Sequence, residues 1–198
     1  MGGNEIPPKC KFKKEEIVQA ALEIARDAGI ASVTARAVAS KLNSSPKVIF
    51  GHFQSMDELQ NELLKSAGDL YQNYIYEDIA SKKYPPYKAS GMAYIRFAKE
   101  EKELFKLLFM RDRSNETITE NSEEIRPLLK ILKKNLGLSE AEANMFHLEM
   151  WLFVHGIATM SATSYLDLDM DFISKTLTDE YMGLKHQYCR EEKKDGSN

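Results

Sequence analysis

Cysteine is scarce in this chain, which has only two among its 198 residues. Cys10 and Cys189 lie near the two ends, in polar surroundings and without the spacing that metal ligands need. Nothing in this pattern suggests a disulfide framework. We therefore expect two reduced thiols in a cytoplasmic protein.

Long apolar runs are also missing. The most apolar stretch, residues 145–162, is interrupted by His147, Glu149 and His155, and it therefore predicts a buried helix rather than a membrane span. Residues 1–14 are polar and basic, without the apolar stretch of a signal peptide. We expect neither secretion nor contact with a membrane.

Charges of both signs are present but unevenly distributed. The net charge of −3 by itself argues against nucleic-acid binding. Residues 1–55, however, carry eight Lys or Arg against five Asp or Glu, which is +3 and leaves −6 for residues 56–198. A basic head on an acidic body favours nucleic-acid binding by the head, although chance scatter of surface charge would give the same asymmetry.

Helical periodicity dominates the chain and predicts an all-α fold of about nine helices. On a helix over residues 15–28, which Gly29 ends, an apolar stripe is formed by Ile17, Ala21, Ile24 and Ala28, with Val18, Leu22 and Ala25 beside it. Three further helices are predicted to begin at about residues 35, 46 and 56, with the hydroxyl caps Thr34, Ser45 and Ser55. The third of these extends to residue 79, and later helices are predicted over residues 87–100, 103–110, 123–136, 140–164 and 171–188.

A helix, a short turn at Asn43 and a second short helix give the spacing of a helix-turn-helix motif. Ala39 lies where the two helices would cross, and its small side chain permits close approach. The interior would be formed by Val38, Leu42, Val48 and Ile49. A short second helix is sufficient if its function is to present one turn to a DNA major groove.

Eight side chains of this region suit DNA contacts: Thr34, Arg36, Ser44, Ser45, Pro46, Lys47, Phe50 and His52. Hydroxyl and cationic groups can bond phosphates or base edges, and Phe50 and His52 are predicted on the outward face. Each residue alone also has an ordinary explanation, such as a cap, a solvated lysine or a core phenylalanine. Their order and spacing together favour DNA binding, to which a basic arm over residues 9–14 could add phosphate contacts.

The stretch "TARAVASKLNSSPKVIFGHFQSMDEL", residues 34–59, resembles the DNA-binding head of the TetR (tetracycline-repressor) family. The resemblance covers residues 15–60 and implies a DNA-binding domain over residues 1–55, a regulatory domain over residues 56–198, and a palindromic double-stranded operator. Asn43 and Gly51 depart from the family pattern. So do Phe50 and Met56, where a tyrosine hydroxyl and a lysine charge are usual, and we expect weaker contacts to the DNA backbone there.

The C-terminal region resembles one branch of the same family, which is named for its Trp-His-Gly signature. The matching stretches are "YIRFAKEEKELFKLLF", residues 94–109, and "WLFVHGIA", residues 151–158. The resemblance implies a homodimer through the last two helices and an inducer site among the others. An apolar stripe on the last helix suits a dimer face, or alternatively packs on its own body: Ile173, Leu177, Tyr181, Leu184 and Tyr188. Gly156 suggests close helix approach, within the body or across a dimer.

Nine side chains could line a pocket for a small apolar or aromatic ligand: Tyr74, Tyr94, Phe97, Phe105, Phe109, His147, Met150, Trp151 and His155. For each of them, ordinary core packing is the alternative. His147 and His155 have no cysteine or carboxylate partner at metal-ligand spacing, so we expect hydrogen-bonded histidines rather than a metal site. No cofactor is expected.

Three functions are compatible with these features. The first is a DNA-binding transcriptional repressor that a small-molecule inducer releases from its operator. The second is a helical protein-interaction adaptor that has lost DNA affinity. The third is a helical enzyme, which is disfavoured because the sequence contains no Glu-x-x-His pair, phosphate-binding loop or nucleophile elbow.

Overall fold

The structure is a computed structural model that describes residues 12–112 and 122–189, and within these ranges it contains nine α-helices and no β-strand. The all-α prediction is therefore confirmed. The helices are α1 (Lys14–Ala28), α2 (Ala35–Lys41), α3 (Lys47–Phe50), α4 (Met56–Ala80), α5 (Pro86–Glu100), α6 (Lys102–Phe109), α7 (Ser122–Leu136), α8 (Glu140–Ala162) and α9 (Met170–Tyr188). A 3-10 turn, Ile30–Ser32, follows α1 and was not predicted.

Most helix ends lie where capping chemistry places them. The hydroxyl oxygens of Thr34, Ser55 and Ser139 accept hydrogen bonds from backbone N–H groups three residues later, at 3.1, 3.2 and 3.3 Å. Gly29 and Gly137 follow α1 and α7 with φ angles of +78° and +73°, in the left-handed region that favours glycine. These predicted starts and stops are confirmed.

Contacts divide the chain into two compact units. The head unit contains the described residues up to Leu70 together with Glu103–Met110, and the body unit contains Tyr71–Lys102 and the described residues from Arg111 onward. The first part of α4 and most of α6 therefore pack with the N-terminal helices. The functional division at residue 55 stays a prediction.

The head unit has a core made by one face of each of its helices. In α1 the buried face includes Ile17 and Ala21, but Ile24 is half-buried and Ala28 is exposed, so the predicted stripe is correct only at its start. Val18, Leu22 and Ala25, which were predicted beside this stripe, are buried, so the inward face of α1 is centred on their side. Other buried side chains of the head include Val38, Ile49, Phe53, Leu59 and Leu63.

The body unit is centred on the pair α5 and α8, which make the most extensive contact between helices. Gly91 of α5 allows close approach to α9 as well, because a Cβ atom there would lie 3.2 Å from Leu177 of α9 and 3.5 Å from Val154 of α8. Ala89 and Ala93 are completely buried on the same helix. No helix of the described residues is long and apolar enough to cross a membrane.

The stripe on α9 that was predicted as a dimer face is buried within its own body unit. Ile173 and Leu177 are 0% and 3% exposed, while Tyr181 and Tyr188 place their rings 5.4 and 5.5 Å from the ring of Phe146. The dimer-face assignment of this stripe is therefore wrong, and the alternative of packing on its own body is correct. Burial of this apolar stripe is what holds α9 against α8.

Candidate nucleic-acid interface

The turn between α2 and α3 is built by backbone groups. Asn43 has a φ angle of +48°, as its position in the turn predicts, because asparagine tolerates the left-handed region. The N–H of Ser44 donates to the carbonyl oxygen of Ala39 at 2.9 Å, which closes the end of α2. The chain thus leaves α2 at a defined angle and enters α3 after only a few residues.

The helix α3 consists of only four residues and is anchored to the core by buried side chains. Ile49 is 0% exposed, and Phe53, just beyond the helix, is 2% exposed. The predicted cap by the Ser45 hydroxyl is wrong, because Pro46 is the N-cap residue and no side chain caps the helix. Pro46 already has helical angles, and the Ser45 carbonyl accepts from the Val48 N–H at 3.0 Å to close the first turn.

The outward side of α3 carries an apolar ring and a cation. Phe50 is 53% exposed, and Pro46 and Lys47 are also exposed. His52 is only partly exposed, and its Nε2 is shielded from solvent without a hydrogen-bond partner among the described residues. The predicted outward position is therefore confirmed for Phe50 and wrong for the Nε2 of His52.

The other predicted DNA-contacting residues lie around the same turn. Ser45 is exposed and Ser44 is half-buried. Thr34 and Arg36 are exposed at the start of α2, where the Thr34 hydroxyl is already engaged as the cap. Of the predicted basic arm, residues 9–11 lie outside the described part of the chain.

The positive charge of the head is partly neutralised by ion pairs. Lys14 bonds Glu62 at 2.6 Å, and Lys41 bonds Glu23 at 2.8 Å. The carboxylate hydrogen bond raises the pKa of each lysine, so both stay protonated and paired. Arg36 and Lys47 have no carboxylate partner among the described residues, so their charges remain available.

The two histidines of the body unit are hydrogen-bonded, as predicted. The Nδ1 of His155 lies 2.9 Å from the Tyr94 hydroxyl, and the Nδ1 of His147 lies 3.1 Å from the Tyr87 hydroxyl. Burial lowers the pKa of both histidines and raises the pKa of both tyrosines, so all four groups are neutral at pH 7, and the tautomer of each histidine sets which partner donates. Trp151 stacks on His155 with the ring centroids 4.8 Å apart.

The other predicted ligand-binding residues also have neighbours within their own units. The Tyr74 hydroxyl donates to Glu100 at 2.9 Å, and its ring lies 5.2 Å from the ring of Phe97. Met150 is buried in the body, whereas Phe105 and Phe109 belong to the head unit, with their rings 5.2 Å apart. Surface hollows of about 660 and 230 Å³ are lined by other residues.

An exposed apolar face lies on α8 and α9, the last two helices, through which the resemblance implies a homodimer, although its residues were not named from the sequence. Met145, Leu148 and Leu152 are 50%, 46% and 57% exposed on α8, and Phe172 and Met182 are 50% and 54% exposed on α9. A Cβ atom added at Gly156 or Gly183 would meet nothing within 4 Å, so neither glycine serves close packing inside the chain. The signal in the sequence is that residues 145–162 are apolar nearly all round, which one body cannot cover completely.

Two family models match most of the chain. Residues 17–63 match the model described as bacterial regulatory proteins, tetR family, and residues 87–180 match the model described as tetracyclin repressor-like, C-terminal domain. No curated protein is significantly similar in sequence. The second match does not distinguish the Trp-His-Gly branch, which stays a prediction.

Two solved structures share the fold. A TetR-like transcriptional regulator from Rhodococcus sp. RHA1 is 13% identical with a TM-score of 0.62, covering 85% of this chain and 93% of its own. A second transcriptional regulator from Rhodococcus sp. RHA1 is 15% identical with a TM-score of 0.58, covering 89% of this chain and 97% of its own. At this identity the likeness supports the fold alone.

The chain belongs to the TetR family. It is therefore a DNA-binding transcriptional regulator that acts as a homodimer, and it is not an enzyme. The short helix α3, with its buried anchor and its exposed cation, lies within the residues that match the DNA-binding model.

Proposed function

We propose that the chain is a cytoplasmic repressor that binds a palindromic operator and is released by a small apolar or aromatic inducer. The observation that carries the DNA-binding half of this proposal is α3, where buried Ile49 fixes the backbone and exposed Lys47 and Phe50 point away from the core. A short helix held in this way can present one turn to the major groove of DNA.

The proposed contacts follow from the chemistry of the exposed groups. Lys47 and Arg36 supply charges without carboxylate partners, among the described residues, for phosphate or guanine oxygens. Thr34, Ser44 and Ser45 offer polar groups beside the same turn, and Pro46, Phe50 and His52 complete the proposed surface. Because Lys14 and Lys41 are already paired with carboxylates, we assign them a smaller share of the binding.

We further propose that two chains pair through the exposed apolar face of α8 and α9. Isologous pairing brings the same face of each chain together. Each leucine or methionine of this face would therefore become buried in both chains of the dimer. The open glycines Gly156 and Gly183 would let a partner helix approach closely. Two heads held by this pairing can read two half-sites about one helical turn of DNA apart.

The inducer is proposed to bind in the body unit beside the Tyr–His pairs on α5 and α8. Tyr94, His155 and Trp151 combine aromatic surface with polar tips, which suits a small aromatic molecule. Such a molecule lowers DNA affinity only if it binds the DNA-incompetent arrangement more tightly than the competent one. In this proposal Phe105 and Phe109 are core residues of the head, not ligand contacts.

The test begins with selection of DNA duplexes from a random pool by the purified full-length protein, followed by affinity measurements over a range of salt concentrations. We expect a palindromic site whose affinity falls steeply with salt. Lys47→Ala should lower the salt slope by about 0.9 for each phosphate that is no longer neutralised, or about 1.8 for a dimer. Lys130→Ala, which removes the same charge from an exposed position on α7, is the matched control and should leave the slope unchanged.

The inducer step is tested separately by repeating the binding measurement with fractions of a bacterial metabolite extract. Release of the duplex by one fraction, with the molecule retained by the protein identified by mass spectrometry, supports the proposal. Binding that never responds to any fraction would leave a DNA-binding regulator without an inducer of this class. A salt-independent affinity would contradict the phosphate contacts themselves.

A further inference from the structure

Phe50 is an unusual side chain for the surface of a small domain. Its ring is 53% exposed, although it lies between Ile49 and Phe53, which are almost completely buried. No aromatic ring or cation among the described residues lies against it. The buried neighbours fix the backbone of α3, so the ring is held outward by the fold.

The chemistry of this ring limits what it can contact on DNA. Phenylalanine has no hydroxyl, so Phe50 cannot donate a hydrogen bond to a phosphate or to a base edge. It lies three residues after Lys47 in α3, which makes the two side chains neighbours on one helix face. Lys47 is a cation without a carboxylate partner among the described residues, so the same face carries the charge that attracts a phosphate backbone.

One apolar group is available on the base edges of the major groove, and it is the 5-methyl group of thymine. We propose that Phe50 is a specificity-determining residue and that its ring recognises one thymine methyl in each half-site. This inference rests on the proposed operator binding by α3. It makes Phe50 a reader of sequence through the thymine methyl group, whereas a phosphate contact of Lys47 supplies affinity that depends little on sequence.

The test uses the palindromic duplex selected by the protein and a set of otherwise identical duplexes. In each of these, one thymine of both half-sites is replaced by deoxyuridine, which removes only the methyl group. For the wild type we expect one position at which the replacement weakens binding about fourfold for each half-site. This is the change in dissociation constant expected when one buried methyl group is removed. With both half-sites changed, binding should weaken about 15-fold.

Two variants complete the cycle. Phe50→Ala should bind the thymine and deoxyuridine duplexes equally, within about twofold. Lys47→Ala should weaken binding to both duplexes while keeping their ratio, because it removes a charge and not the ring. The melting temperature should be unchanged in Lys47→Ala, whose side chain is exposed, whereas Phe50→Ala also loses the buried half of its side chain and is compared at a temperature where circular dichroism shows it folded.

The outcomes separate this inference from the proposed function. The methyl contact is refuted if no thymine replacement weakens binding by the wild type. It is also refuted if Phe50→Ala has the same ratio of affinities for the thymine and deoxyuridine duplexes as the wild type. Weaker binding by Lys47→Ala would then still support operator binding. If no duplex is selected at all, operator binding fails and the inference fails with it.

Discussion

Replacement of Gly156 by leucine should dissociate the dimer while the chain stays folded. Gly156 lies in the interior of α8, and a Cβ atom built there meets nothing within 4 Å inside the chain. Glycine in a helix interior is destabilising by about 1 kcal/mol relative to alanine, and leucine is close to alanine. The folded monomer should therefore gain roughly 0.8 kcal/mol from the substitution.

The expected effect on dimerisation arises only across the proposed interface. An extra side chain in a packed interface costs about 1–3 kcal/mol, and the symmetry of a homodimer introduces it twice. Dimerisation should therefore weaken by about 2–6 kcal/mol, which is at least about 30-fold in the dissociation constant. Gly68→Leu in α4 is the matched control, because Gly68 also has open space at its Cβ position.

Sedimentation velocity over a series of protein concentrations measures the dissociation constant, and urea unfolding of the monomer measures stability. Gly156→Leu should sediment as a monomer at concentrations where the wild type and Gly68→Leu are dimers. A folded Gly156→Leu variant that dimerises as tightly as the wild type would refute the assignment of the interface to this face of α8. A less stable variant would refute the claim that Gly156 is free of packing inside the chain.

Two further predictions concern the head and the body. Gly29→Ala should destabilise the chain by about 1–3 kcal/mol, because φ and ψ angles of +78° and 166° are strained for alanine, whereas the Glu103 carboxylate 3.0 Å from the added Cβ atom ends a flexible side chain that can move aside. In urea unfolding the loss should be the same in a Glu103→Ala background, and a smaller loss there would show that the carboxylate contributes. Burial lowers the pKa of His147 below its ordinary 6.5, so its contribution to stability is complete above about pH 6.5 and declines as the pH falls. Urea midpoints at about pH 7.5 and 5 should differ less in His147→Gln, which keeps an acceptor for the Tyr87 hydroxyl, and an unchanged difference would contradict the assignment.

Local chemistry made the head predictable from sequence. A hydroxyl cap such as Thr34 or Ser55 acts on N–H groups three residues away, and a turn residue such as Asn43 acts on its own backbone. These signals need no knowledge of distant segments, so the helix ends and the helix-turn-helix spacing could be predicted. Pro46 has the helical angles predicted for it, but the predicted capping hydrogen bond to the Ser45 hydroxyl does not form.

Pairing between distant segments was decided only by the tertiary structure. From the sequence we predicted Lys14 to be part of a basic arm. In the structure the charge of Lys14 is neutralised by Glu62, which lies 48 positions away in the chain. The apolar stripe on α9 could be recognised from its periodicity, but periodicity cannot say which surface covers it. In the structure Phe146 of α8 packs against the stripe. The aromatic residues of the body were likewise apparent, but the Tyr94–His155 hydrogen bond joins positions 61 apart.

The sequence by itself thus determined the helices, their order and the short turn that presents Lys47 and Phe50, because each depends on interactions within a few residues. The tertiary structure decided which charges stay unpaired, which histidines are hydrogen-bonded and which apolar face of α8 is left exposed. These outcomes depend on side chains that meet across long separations in the chain, and burial in a packed core selects among faces that periodicity alone cannot tell apart.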